Sequence, residues 1–414
     1  MCFFCSESYG KIGMMTSRER ILKTLNHEEP DRIPLDLGGI ESSGMSVYSL
    51  SNLHNYLNMR AELKIFEPYQ YVAYIGDKLR TRFKVDTINL TPEPKNWVKQ
   101  TNQLGLDVLL SEKWCEETSE DGVTVIRRAD GTVAAQRPQG GYYFDSVNPP
   151  LQNITEPLEL DRHKNSIFSF DWPFFVDEST EDLQQRAQEM HTKDKCIVFN
   201  LCCHILAAGQ LLRGYENFMV DLLTNEVMVR KLLDYLIEGY CRRVDRLAPF
   251  LKDEVDVVLL NDDLGTQNGP MLSPSTYRKR IKPYQKELFE YVKKSFGKPI
   301  LFHSCGAVRE FIPDLIEVGV DALNPVQLSA EGMELKKLKN DFGNDITFWG
   351  GGVDTQTVLN KSTPIEIEDA VKRSVDILAP DGGFVFTQVH NIQPDVPPEN
   401  VVAMIDAFHK YAAY

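Results

Sequence analysis

Short apolar runs alternate with amphipathic stretches along most of this chain. Runs at Arg32–Leu37, Val85–Leu90, Cys196–Leu201, Val255–Leu260, Pro299–His303, Val320–Asn324, Ile346–Gly350 and Gly383–Gln388 read as strands. Between the later ones, apolar positions recur at helical spacing. Tyr277–Phe296 carries Ile281, Tyr284, Leu288, Tyr291 and Val292 on one face, and Pro364–Leu378 repeats the pattern. Thr16 or Ser17 suits the cap of a first helix through Ile21, Leu22 and Leu25. Met15 is therefore the expected start of the fold, and residues 1–14 read as an N-terminal extension whose Cys2/Cys5 pair has no second pair to complete a site. Strands alternating with helices in this way predict an α/β protein, a TIM (β/α)8 barrel over residues 15–414.

The alternation fails at about 94–160. There Val123–Arg127 and Thr132–Ala135 read as paired strands joined by Arg128-Ala129-Asp130-Gly131, whose Asp-Gly pair suits a tight turn. The Pro/Gly-rich stretch Arg137–Pro150 follows. These features predict a β-hairpin-containing insertion in the N-terminal half, on the active face of the barrel.

Composition narrows the class. The chain has 414 residues and a formal net charge of −15, with no basic face, so a nucleic-acid partner is not expected. No apolar run reaches the roughly 18–20 residues of a membrane span, so no membrane is expected either. The eight cysteines are scattered through a core-rich chain and read as reduced thiols of a cytoplasmic protein.

In barrels of this kind chemistry gathers at the C-terminal ends of the strands. The most informative end is Phe302-His303-Ser304-Cys305-Gly306. Residues i and i+2 of a strand share a face, so imidazole and sulfur can converge on a borderline-soft cation such as zinc. The same pair also suits a packed histidine beside a buried thiol, so a third ligand decides. Other strand ends offer Asp36, Asn200, His204, Asp262, Asp263, Asn324, Trp349, Gln388 and His390. Cys202-Cys203-His204 reads as core and wall packing, and Gly350-Gly351-Gly352 as close backbone approach. Trp97, Trp114 and Trp172 read as packing residues; Trp349, beside the glycines, is the one suited to a flat macrocycle pocket.

Met15–Gly39, the FHSCGAV segment, WGGGVDTQTVL and VHNIQPDVPPENVVAMIDAFHKY resemble the uroporphyrinogen decarboxylase superfamily, over nearly the whole chain from Met15. The resemblance implies a TIM barrel and one of two chemistries: porphyrinogen decarboxylation, or zinc-dependent methyl transfer with corrinoid proteins. The decarboxylases carry an arginine-rich MRQAGR-like motif after the first strand. Here Leu35-Asp36-Leu37-Gly38-Gly39-Ile40-Glu41 has no arginine, and an octa-acid would meet repulsion. The methyltransferases hold zinc with a His-x-Cys pair and a later Cys. The pair matches His303 and Cys305, and the later position falls on His390, ahead of Pro397-Pro398-Glu399-Asn400.

The resemblance thus implies zinc on His303, Cys305 and His390. Asp262 or Asp263 would orient a ligand or shuttle a proton, with turn capping as the alternative, and Asp36, Asn324, Trp349 and Gln388 would meet substrate. The expected reaction moves a methyl group between a small methylated or thiol substrate and cobalamin. With no Asp-x-His-x-x-Gly motif in the sequence, the cobalamin would come from a separate corrinoid protein. A homodimer fits the apolar content. The alternatives are a metal-free decarboxylase and a non-catalytic corrinoid- or tetrapyrrole-binding protein.

Overall fold

The computed structural model describes residues 15–102, 105–128, 130–169 and 175–414. Seven parallel strands form one sheet: β1 (Thr87–Leu90), β2 (Cys196–Asn200), β3 (Val257–Asn261), β4 (Ile300–His303), β5 (Ala322–Asn324), β6 (Thr347–Trp349) and β7 (Phe384–Val385). Neighbours in the sheet are neighbours in this order, as right-handed strand–helix–strand crossovers require.

The eighth position is filled by a segment and not by a full strand. Leu35 bridges Phe386, the amides of Phe386 and Asp36 bond to the carbonyls of Pro34 and Phe386, and Asp86 N donates to Leu35 O. This closes a (β/α)8 barrel. Arg32–Leu37 was expected as a strand, but Pro34 has no N–H to give, and the amide of Leu35 donates to the Asp86 carboxylate at 2.7 Å instead of to a backbone carbonyl.

Strand alternation sorts the core into two. Cys196, Val198, Val257, Leu259, Leu301, Ala322, Trp349 and Val385 pack inside the barrel, with Ile21 and Leu25 of the first helix beneath them. The other face of each strand joins the larger core against the helices. The first helix, Ser17–Leu25, has a capping box between Thr16 and Glu19, and Pro364–Leu378 has one between Thr363 and Glu366. The helix expected over Tyr277–Phe296 is two, Pro274–Arg280 and Lys282–Phe296. Pro283 cannot donate into a continuous helix, and the break falls at Ile281.

The insertion is antiparallel. Trp97–Thr101 pairs with Asp107–Ser111, and Glu116–Thr118, Thr124–Arg127, Val133–Arg137 and Asp145–Ser146 form a four-stranded sheet. The expected hairpin is there, with Gly131 at φ 84° in its turn. An aromatic cluster of Tyr69, Trp114, Phe144 and Phe175 anchors the insertion to the barrel. Residues 1–14 and Trp172 lie outside the described residues. Among those described, no helix is long and apolar enough to cross a membrane.

Candidate metal centre and cavity

Parallel register puts His303, the last residue of β4, beside Asn261 on β3 and Asn324 on β5. The chain then turns sharply: Ser304 N bonds to Asn324 O, Cys305 N donates to Asp263 Oδ1 at 2.9 Å, and Ala307 N bonds to Thr266 O. Gly306, at φ 88°, makes the turn possible, because a Cβ there would lie 2.4 Å from the backbone carbon of Gly265. His390 follows β7 in a loop held at Val389, which bonds to Val353 O, and at Ile392, which bonds to Gly44 O.

These elements bring His303, Cys305 and His390 together, with one ligand atom from each within 4.8 Å of the others. His303 Nε2 is 3.4 Å from Cys305 Sγ, and the two imidazole centroids are 6.1 Å apart. Two ligands of one tetrahedral zinc stand about 3.3–3.8 Å apart, given bonds of about 2.0–2.3 Å. The histidine–cysteine pair already has that spacing.

The surroundings suit a cation. Asn324 Nδ2 donates to Trp349 O at 2.7 Å, which fixes the amide so that Oδ1 faces His303 Nδ1 at 2.7 Å. Nδ1 must then carry the proton, and the lone pair on Nε2 points toward Cys305. Burial, and behind it His303, pushes the His390 imidazole down to about 4, so it is neutral and able to ligate. Burial, reinforced by the Asp263 carboxylate, pushes the Cys305 thiol up; only a bound cation favours its thiolate.

His303 and His390 line a cavity of about 490 Å³ at the C-terminal end of the barrel. Its wall includes Glu41, Phe66, Glu67, Tyr69, Asn200 and His204, with Arg128, Ser146, Pro149 and Pro150 from the insertion. Cys202, at φ 54°, also lines it, while Cys203 packs in the core. Burial pushes His204 down to about 4, and burial followed by the Glu41 charge pushes Glu67 up to about 7.

The other expected residues divide. Asp263 is exposed beside the triad, 3.8 Å from His303 Nε2. Asp262 touches the cavity wall, but its carboxylate accepts from the amides of Ile205, Leu206 and Ala207 at 2.8–2.9 Å and from Gln285. It caps the helix Leu206–Arg213 and offers no free oxygen for catalysis.

The four residues expected to meet substrate face protein instead, and none lines the cavity. Trp349 is 0% exposed in the barrel interior and donates to Asp36 Oδ2 at 2.7 Å. Asp36 also accepts from Thr87 and Gly39, and Gln388 donates to the carbonyls of Ser43 and Gly44. Asn324 orients His303. The alternation of a strand shows which residues point inward but not how deep each lies, so polar residues below the mouth were taken for ones at it. Glu67 escaped sequence reasoning altogether. It ends Ile65–Glu67, a short strand of a minor sheet with no motif.

Fold and site define a (β/α)8-barrel protein with a candidate three-ligand metal centre at the strand ends. The family model for uroporphyrinogen decarboxylase (URO-D) matches residues 198–411, and the chain belongs to that family. Among curated relatives, uroporphyrinogen decarboxylase of Syntrophotalea carbinolica is 24% identical over 216 residues, 51% of this chain and 57% of that protein. That of Legionella pneumophila (strain Corby) is 26% identical over 218 residues, 51% of this chain and 56% of that protein. The match thus spans little more than half the length of these relatives. Among solved structures, a methyltransferase from Methanosarcina mazei superposes with a TM-score of 0.58 at 15% identity, covering 96% of this chain and 99% of that one. That likeness extends the shared fold beyond the matched C-terminal half.

Proposed function

We propose that this protein is a zinc-dependent methyltransferase that moves a methyl group between a small methylated or thiol substrate and the cobalamin of a separate corrinoid protein. The observation that carries this reading is the convergence of His303, Cys305 and His390 within 4.8 Å beside a cavity of about 490 Å³. His303, Cys305 and His390 would hold the zinc, which would supply Lewis acidity to favour the thiolate of a substrate or polarise a leaving heteroatom.

The chain's own residues do the rest. Asn324 holds His303 in the tautomer that leaves Nε2 free to ligate. Asp263 Oδ1, exposed and close to His303 Nε2, accepts the proton a thiol loses and returns it to water. Phe66, Tyr69 and the insertion line the cavity that would hold the small substrate, and exposed Tyr215 lies on its solvent side, open to a partner protein. The family match alone favours a second reading, metal-free decarboxylation. Against it, Glu41 and Glu67 in the cavity wall oppose a polycarboxylate substrate.

Metal analysis by mass spectrometry on the untagged full chain tests the proposal. Near-stoichiometric zinc is expected in the wild type and a large loss in Cys305→Ala and His390→Ala. A chelator is then expected to abolish methyl transfer between a thiol and a corrinoid protein while the far-UV dichroism stays unchanged. Wild-type protein that takes up no zinc on incubation, or that transfers methyl undiminished after verified metal removal, overturns the proposal.

A further inference from the structure

The candidate metal ligands account for one part of the cavity only. Glu41, in the loop after the first barrel segment, and Glu67, from the minor sheet, line the same volume as His303 and His390. Glu41 Oε1 accepts from Asn200 Nδ2 at 2.6 Å and from Thr91 Oγ1 at 3.4 Å. Glu67 accepts from the amides of Tyr69 and Gln70 at 3.1 and 2.8 Å. These donors are all neutral. Among the described residues, neither carboxylate has a lysine, arginine or histidine nitrogen within 4.0 Å. Arg128 is the one guanidinium among the described residues of the wall.

Two carboxylates on one cavity, each without a cationic side chain within 4.0 Å among the described residues, repel each other, and a bound cation relieves both. Phe66, Tyr69 and Tyr215 add aromatic surface to the same wall, and ring faces attract cations. Beside Glu41 and Glu67 a sulfonate, a carboxylate or a phosphate meets repulsion.

We infer that the small substrate has two functional ends: a sulfur that meets the metal at His303, Cys305 and His390, and an ammonium held by Glu41 and Glu67. The sulfur end rests on the function proposed above. The ammonium end does not, because the two carboxylates and the aromatic wall are there with or without metal.

Calorimetric titration of the full chain tests this, with cobalt(II) loaded in place of zinc as an optical probe of sulfur ligation. The ligands are straight-chain thiols of two to six carbons ending in an ammonium, a hydroxyl or a sulfonate, together with the matching alkylammonium ions lacking sulfur. At the best-fitting length, the aminothiol is expected to bind about tenfold more tightly than the hydroxythiol, and the sulfonate most weakly. Glu67→Gln should bring the aminothiol to within about two- to threefold of the hydroxythiol, leaving cobalt loading and the hydroxythiol affinity as in wild type. Glu41→Gln provides the same comparison if Glu67→Gln does not fold, and the wild-type ligand series decides by itself.

Alkylammonium binding to the metal-free wild type supports the ammonium site even if no thiol perturbs the cobalt spectrum; that combination would overturn the sulfur end and the metal reading it rests on. Thiols that ligate cobalt with equal affinity whatever their terminal charge overturn the ammonium site and leave the metal reading standing.

Discussion

His303 Nδ1 and Asn324 Oδ1 stand 2.7 Å apart at the ends of adjacent parallel strands, in register with each other. The asparagine is fixed in turn, donating to Trp349 O and accepting from Ser42 Oγ at 2.6 Å. One buried amide therefore sets both the tautomer and the direction of a candidate metal ligand. Asn324→Leu should weaken zinc affinity about 10- to 100-fold, the range seen when such outer partners are removed. Asn324→Asp, which keeps the acceptor, should retain most of it. Competition with a chromophoric chelator measures both; equal affinities in wild type and Asn324→Leu would show that the hydrogen bond does not serve the metal.

Asp262 should behave as a structural residue. Asp262→Ala leaves three amides at the start of Leu206–Arg213 without an acceptor, those of Ile205 and Leu206 buried and that of Ala207 partly so, at a cost of about 3 kcal/mol. Urea denaturation should show that loss, with metal content unchanged in the folded protein. A variant of wild-type stability that has lost methyl transfer would return Asp262 to a catalytic role.

His390 replaces the cysteine that the resemblance to zinc methyltransferases leads one to expect. His390→Cys should still bind the metal, with a second thiolate lowering its Lewis acidity. In cobalt(II)-loaded protein, sulfur-to-metal charge-transfer absorbance should rise about twofold, as one sulfur ligand becomes two. Unchanged absorbance would show that residue 390 is not a ligand.

Glu67 links the cavity to pH. Its folded value, about 7, lies above the ordinary glutamate value of 4.5, with burial as the main cause and Glu41 adding to it. The folded state therefore holds this proton more tightly than the unfolded one. Its contribution to stability is full below pH 4.5 and is lost as pH rises through about 7. Glu67→Gln should flatten stability over that window and raise the melting temperature at pH 8 by a few degrees. Thermal melts at pH 5 and pH 8 check this; a variant that melts lower at pH 8 than wild type would contradict it.

How far sequence could reach follows the range of each signal. Seven of the eight expected strands formed because buried parallel strands announce themselves as unbroken apolar runs. The first fell short at Pro34, and one expected helix broke ahead of Pro283, both through a missing N–H that is plain in the sequence but was outweighed by the apolar pattern. The Asp130-Gly131 turn marked its hairpin locally. His303 and Cys305 were legible as neighbours on one strand end. Periodicity could not bring His390 to them across the chain; the family resemblance did. Asp36, Trp349 and Gln388 lie at depths no local pattern encodes, and Glu67 reaches the cavity through long-range packing alone.

The ring bearing these side chains is joined at the eighth position by Pro34–Asp36, through a handful of hydrogen bonds to Phe386 and Asp86. In a closed sheet the weakest joint is where the structure parts first. His303 and Cys305 lie far around the ring from that joint, on the continuous seven-stranded part, whereas His390 follows the strand that forms one lip of it. An ion shared by all three would therefore act as a clasp, tying the lip of the barrel back to its most secure wall.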